Sequence, residues 1–259
     1  MNKTGRIIEG KKNLLSVYFT ADYPVKDCTN EIILALQQAG ADMIEIGMPF
    51  SDPLADGPVI QKSSMKAIDN GFTIESLFAD LKFIQPDLNV PIVLMGYFNS
   101  ILAYGVESFL MACESLAIDT VIIPDLPPEI YRKNYKSLFA QYKVSPVFLI
   151  TPQTNPARME LIDSLSNAFI YVVAGNNTTG STAAISDYQL EYFKKISETK
   201  FSVPVLIGFG IADQKSFRQA CDYAHGAIIG SAFIQGLEYS DNLSGSIHHF
   251  IQSIKKETS

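Results

Sequence analysis

Cysteine is scarce, with only Cys28, Cys113 and Cys221 in 259 residues. Their odd number, wide spacing and lack of any CxxC or CxxH pair argue against a disulfide framework or a zinc site, so reduced thiols packed in helices are expected. Positive charge is also short. Lys and Arg number 20 against 27 Asp and Glu, giving a formal net charge of -7 and a pI near 5.0. The basic footprint needed for phosphodiester backbones is missing, which argues against nucleic acid as a partner. No apolar run approaches the roughly 18 residues of a membrane span, and the opening MNKTGRIIEGKKN lacks the apolar core of a secretory signal. A soluble, cytoplasmic chain is therefore expected. Charged residues make up 18% of the chain and hydrophobic ones 47%, too little charge for extended disorder and enough apolar side chain for a large core.

The apolar residues are organised into short runs rich in Val, Ile, Leu and Phe, each bounded by Gly, Pro, Asp or Asn. Strands buried on both faces have this form. They are LLSVYFT from Leu14, MIEIGMP from Met43, PIVLMGY from Pro91, TVIIPDL from Thr120, PVFLIT from Pro146, AFIYVV from Ala168, VPVLIGFG from Val203 and GAIIGS from Gly226. Between them lie amphipathic stretches such as TNEIILALQQAGA and DQKSFRQACDYA, which read as crossover helices. Regular alternation of buried strand and helix forces a parallel sheet, and eight such units close a (β/α)8 TIM barrel. An open doubly wound sheet is the competing topology, but no GxGxxG turn follows the first run. Length agrees with residues 1–259 forming one barrel domain, here with an extra N-terminal helix. The connection between the second and third runs is the longest and leaves room for a functional loop before its helix.

In such a barrel the C-terminal ends of the strands carry the chemistry. Glu45 lies inside the second run, where a carboxylate has no cheap route to water. Burial raises its pKa toward the range useful for proton transfer, while a structural ion pair or hydrogen-bond network is the competing reading. The following loop, PFSDPLADGP, holds Asp52 and Asp56 on a proline-stiffened backbone, yet Pro, Asp and Gly also serve ordinary turns. Gly208, Phe209 and Gly210 end the seventh run, and Gly230 and Ser231 end the eighth, where barrels often bind phosphate. YVVAGNNTTGST, from Tyr171, has the composition of a lid over substrate or of a plain flexible loop. Tyr18, Tyr97, Tyr171 and Phe209 fall at strand ends, suited to an apolar ring pocket or to filling the core.

None of the eight runs contains lysine, which argues against Schiff-base chemistry. Of three histidines, His225 precedes the last run at the non-catalytic end, and His248 and His249 fall in the C-terminal helix, so no metal site is evident. General acid–base chemistry on a small phosphorylated molecule survives this pruning.

Taken together, IEIGMPFSDPLADGPVIQ, VLMGYFN, VIIPDLP, the Tyr171 loop, IGFGI and IIGSA resemble the tryptophan synthase alpha subunit family, in order and over essentially the whole chain. The long E-x-G-x-P-F-S-D-P-x-A-D-G-P segment carries most of that specificity. The resemblance implies retro-aldol cleavage of indole-3-glycerol phosphate into indole and glyceraldehyde 3-phosphate. It makes Glu45 the proton donor to indole C3 and acceptor of the side-chain hydroxyl proton, and Asp56 the partner of the indole N–H. It puts phosphate on Gly180, Gly210, Gly230 and Ser231, with Tyr18, Leu126, Tyr171 and Phe209 around the indole and Thr179 closing over Asp56. Pro49, Asp52 and Asn99 match positions facing a pyridoxal-phosphate beta subunit in an α2β2 assembly, which receives indole through a tunnel. The alpha chain itself is expected to carry no cofactor and no metal.

Two segments depart from the family pattern. Asp22-Tyr23-Pro24 stands where Gly-Asp-Pro is usual, and Ala174 to Gly180 replaces Ser-x-x-Gly-x-Thr-Gly, with Asn177 for a glycine. Loss of that glycine bears on lid closure. A lid-impaired subunit that mainly activates its partner, and a stand-alone lyase, are the alternatives these departures leave open.

Overall fold

Seven consecutive residues, Leu14–Thr20 (β1), are all buried, as expected for a strand covered on both sides. Met43–Gly47 (β2) is likewise buried throughout. These strands come from a computed structural model of the chain, which describes residues 1–54, 56–173, 186–208, 210–238 and 242–256. The remaining strands are Ile92–Met95 (β3), Thr120–Ile122 (β4), Ser145–Ile150 (β5), Ile170–Val173 (β6), Val205–Gly208 (β7) and Gly226–Ile229 (β8). All neighbours pair in parallel, and β8 pairs with β1, so the sheet closes into the barrel that alternation predicts. In register, Tyr18 of β1, Glu45 of β2 and Val93 of β3 lie side by side.

Helices occupy every connection. Lys3–Ile8 (α1) precedes β1, and Thr29–Ala39 (α2) follows it. The long connection after β2 holds two helices, Pro58–Asp69 (α3) and Ile74–Ile84 (α4), behind its loop. That after β3 also holds two, Phe98–Tyr104 (α5) and Val106–Ser115 (α6), so Asn99 sits on a helix. A short turn, Pro128–Ile130 (α7), runs through a wider π turn into Lys136–Gln141 (α8). The rest are Pro156–Leu165 (α9), Asp187–Glu198 (α10), Gln214–Cys221 (α11), Ser231–Leu237 (α12) and Leu243–Lys255 (α13). No helix among the described residues is long and apolar enough to cross a membrane. The three cysteines are free thiols, in α6, at the end of α11 and just ahead of α2.

The N-terminal helix closes the end of the barrel where strands begin. Asn2 caps α1 and also donates through Nδ2 to the Asp119 carbonyl at 2.9 Å and to Thr120 Oγ1 at 2.8 Å. Asp119 accepts from the Thr4 hydroxyl at 2.5 Å, the Thr4 N–H at 3.1 Å and the Thr120 hydroxyl at 2.9 Å. At the same end, His225 Nδ1 accepts from the Val205 N–H at 3.1 Å. That bond uses a ring nitrogen as acceptor and fixes a neutral tautomer, so this histidine is structural. His248 and His249 are exposed on α13.

Candidate active site

Side chains alternate along a strand, so Ser16, Tyr18 and Thr20 share one face of β1, and Met43, Glu45 and Gly47 the matching face of β2. On that face Glu45 is wholly buried. Its Oε1 accepts from the Ser16 hydroxyl at 2.6 Å, while Oε2 has no hydrogen-bond partner among the described residues. Burial pushes the Glu45 carboxyl up to about 7, and the Ser16 hydroxyl pulls it partly back. Of the structural alternative for Glu45, no ion pair is present among the described residues, and the hydrogen bond to Ser16 engages one carboxyl oxygen and leaves the other open.

Two tyrosines flank this carboxylate, Tyr18 from β1 and Tyr171 from β6, both nearly inaccessible to water. Their phenols fit because two glycines leave room. A Cβ on Gly47 would overlap the Tyr18 hydroxyl, and one on Gly208 would overlap the Tyr171 hydroxyl. Burial, together with the negative charge of Asp56 and Glu45, holds both phenols in the neutral form well above neutral pH.

Asp56 reaches the same region from the loop between β2 and α3. Gly57 and Pro58 start α3, Gln61 Nε2 donates to the Asp56 carbonyl at 2.8 Å, and the Asp56 N–H bonds the Pro53 carbonyl at 3.0 Å. Its Oδ2 accepts from the Tyr97 hydroxyl at 3.0 Å. Partial burial pushes its carboxyl up to about 6, opposed by that hydroxyl. Of the two, Asp56 is therefore the more readily ionised and Glu45 the better placed to hold a proton near neutrality. Tyr97 is itself well placed: its ring stacks on Phe50 with centroids 5.0 Å apart, and the next residue's N–H bonds Asp125 Oδ1 at 2.8 Å. The sequence marks Tyr97 only as a possible ring-pocket aromatic, and Ser16 only as a hydroxyl in a largely apolar run.

Leu126 is buried in the turn after β4. Gly210 follows β7 with φ of 79°, a left-handed conformation that favours glycine. Gly230 ends β8 against the Tyr18 ring, and Ser231 begins α12. Thr179, Gly180 and Phe209, with the segment 174–185, lie outside the described residues. Pro49 is buried at the base of the second loop, whereas Asp52 and Asn99 are exposed at the same end of the barrel. Asp22, where glycine is usual, adopts φ of 55°, which aspartate tolerates better than most side chains. Its Oδ1 accepts from the Thr29 hydroxyl at 3.1 Å and the Asp27 N–H at 3.2 Å, so the exchanged residue is absorbed into its turn. Among the described residues no group of three His, Cys, Asp or Glu side chains forms a metal-binding cluster.

A wholly buried carboxyl and a second one bonded to Tyr97 at the open end of such a barrel match the sequence signature around them, and residues 6–258 match the family model of the tryptophan synthase alpha chain. The chain belongs to the tryptophan synthase alpha chain family. It is 47% identical over 258 residues to the tryptophan synthase alpha chain of Christiangramia forsetii, covering 100% of both chains. In three dimensions it resembles the tryptophan synthase A-subunit of Pyrococcus furiosus, with a TM-score of 0.85 and 30% identity over 94% of this chain and 98% of that one. A chain of the tryptophan synthase complex from the same organism superimposes with a TM-score of 0.84 at 29% identity, covering 94% and 98%. As a family member the chain is a carbon–carbon lyase of tryptophan biosynthesis, cleaving indole-3-glycerol phosphate to indole and glyceraldehyde 3-phosphate.

Proposed function

We propose that Glu45 carries both proton transfers of this cleavage and that Asp56 stabilises the charge that develops on the ring. The reaction breaks the bond between indole C3 and the side-chain carbon bearing the hydroxyl. C3 must gain a proton for indole to leave, and the hydroxyl must lose one as its carbon becomes the aldehyde, so net proton change is zero. One carboxyl poised near neutrality can give the first and take the second. The single observation that carries this is Glu45 itself, wholly buried, with one oxygen unpartnered and its pKa lifted to about 7. Protonating C3 places positive charge on the ring nitrogen, and an ionised Asp56 accepting from the indole N–H offsets it. Tyr97 keeps that carboxylate ionised and oriented.

Phosphate is placed at Gly180, Gly210, Gly230 and Ser231, at and after the ends of β6, β7 and β8. Tyr18, Leu126, Tyr171 and Phe209 surround the indole, and Thr179 closes over Asp56. No lysine or arginine lies in β7 or β8, so backbone N–H groups and the Ser231 hydroxyl carry the phosphate. Residues 1–259 act as one cytoplasmic barrel domain without a cofactor of its own. Indole passes to a pyridoxal-phosphate beta subunit in an α2β2 assembly, docked on the end that bears Pro49, Asp52 and Asn99.

Indole release from indole-3-glycerol phosphate by wild type and Glu45→Gln tests the chemistry: wild-type turnover in the variant overturns the acid–base role. Adding beta subunit tests the partner, with a large rise in turnover expected. Stimulation of the partner without indole release would instead favour a subunit that only binds and activates.

A further inference from the structure

Among the described residues the Glu45 carboxyl receives one hydrogen bond, from below. Ser16 pairs in register with Met43, two residues nearer the strand starts than Glu45, whereas substrate reaches Glu45 from the strand ends. Ser16 is only 1% exposed, and its hydroxyl lies 2.6 Å from Glu45 Oε1, within the range of a charge-assisted O–H···O⁻ bond and shielded from competing water. The last torsion of a glutamate side chain is broad, so an unheld carboxyl in this space would turn freely and present either oxygen. Instead the two oxygens have different surroundings, Oε1 bonded to Ser16 and Oε2 buried without a partner among the described residues. We propose that Ser16 is a positioning residue for the lyase reaction: its hydroxyl pins one oxygen of Glu45 so that the other is the oxygen that exchanges protons with the substrate.

This rests on the acid–base reading of Glu45 and adds a division of labour within its carboxyl. The hydroxyl also donates to the charged form and so favours ionisation, partly offsetting burial. Few other groups intervene. Among the described residues, Tyr18 from β1 and Tyr171 from β6 are the titratable side chains that sense the Glu45 charge, with Asp56 acting on both tyrosines. The strands β3, β4, β5, β7 and β8 bring no titratable side chain to the barrel. Removing the Ser16 hydroxyl therefore changes the surroundings of Glu45 with little else to mask it.

The test is the pH dependence of indole release, kcat and KM, for wild type, Ser16→Ala, Ser16→Thr and Glu45→Gln, each checked for its melting temperature. The limb of the profile that Glu45→Gln abolishes belongs to Glu45. In Ser16→Ala that limb should move to higher pH by about one unit, and kcat should fall about tenfold, the weight of one hydrogen bond to a charged group. KM should stay within about twofold, because Ser16 does not touch substrate. Ser16→Thr, which keeps the hydroxyl, should return the limb toward its wild-type position. An unmoved limb with wild-type kcat in Ser16→Ala overturns the proposal. So does a Ser16→Thr variant of wild-type melting temperature whose limb stays displaced. If Glu45→Gln itself keeps full turnover, the acid–base reading fails first; if it is inactive while Ser16→Ala behaves as wild type, only the role of Ser16 fails.

Discussion

The two ends of the barrel treat their carboxylates in opposite ways. Where strands begin, Asp119 accepts three hydrogen bonds from Thr4 and Thr120, and Asp42 accepts from the Leu15 N–H at 2.9 Å and from Lys255 Nζ at 2.7 Å. Where strands end, Glu45 and Asp56 each accept one hydroxyl, and both are pushed upward by burial. Carboxylates that accept several hydrogen bonds hold elements together, α1 to β4 at Asp119 and α13 to β2 at Asp42. Desolvated carboxyls with a single hydroxyl donor among the described residues cost stability and remain available to a substrate. The difference separates architecture from chemistry within one fold.

The largest effect expected from breaking this contrast is at Glu45. Glu45→Gln should lower kcat for indole release by about 10²- to 10⁴-fold, the usual weight of a general acid–base group. It should also flatten a pH dependence of stability. The folded-state pKa of Glu45 lies above its ordinary value of 4.5, at about 7. Its contribution is therefore fully present below about pH 4.5 and is lost as pH rises through about 7, on the order of 3 kcal/mol. Denaturant unfolding of wild type and variant on either side of that window would detect the loss in wild type alone. At the other end the pattern should invert. Asp119→Ala removes the acceptor for the two Thr4 donors and the Thr120 hydroxyl, and should cost about 2–3 kcal/mol in unfolding with kcat of the folded protein within about twofold of wild type. A large kcat loss without loss of stability would erase the distinction between the ends.

Much of this was legible in the chain. Eight apolar runs became eight strands because a fully buried parallel strand leaves no polar positions to blur its edges. Glu45 stood out for the same reason, as a charge in such a run. The apolar runs extend past the strands they hold, since VPVLIGFG yields only Val205–Gly208 and MIEIGMP only Met43–Gly47. The doubling of helices after β2 and β3 is not visible in the sequence: α5, the first of the pair after β3, is seven residues of mixed character with no amphipathic period to betray it. Asp56 was opaque on composition, since an aspartate among prolines and a glycine serves any turn, and its place emerged only through the fold and the family signature. Ser16 and Tyr97 were harder still, because their importance lies in which carboxylate they touch across 29 and 41 residues of sequence. Spacing along a chain does not encode such contacts.

A milder way to sharpen the contrast is Tyr97→Phe. The ring would keep its stack on Phe50, but Asp56 would lose the hydroxyl that opposes burial, so its pKa should rise above about 6. Activity should fall about three- to tenfold, most steeply on the acidic side of the pH profile, where more Asp56 would be protonated. An unchanged acidic limb would mean that Tyr97 does not hold Asp56 in solution.

The smallest effect is expected at Asp22, the carboxylate that separates location from saturation. It lies at the active end of the barrel, in the turn after β1, yet it is bonded as the structural aspartates are, by Thr29 and the Asp27 N–H. Asn70 Nδ2 meets its carbonyl at 2.7 Å, so side chain and backbone are both tied into the turn. Asparagine also tolerates a left-handed φ and keeps one acceptor oxygen, so Asp22→Asn should leave kcat within about twofold and change stability by less than about 1 kcal/mol. Steady-state indole release and denaturant unfolding would measure both. A loss of turnover approaching that of Glu45→Gln would show that position at the strand ends, and not the number of hydrogen bonds a carboxylate already accepts, marks the working residues of this barrel.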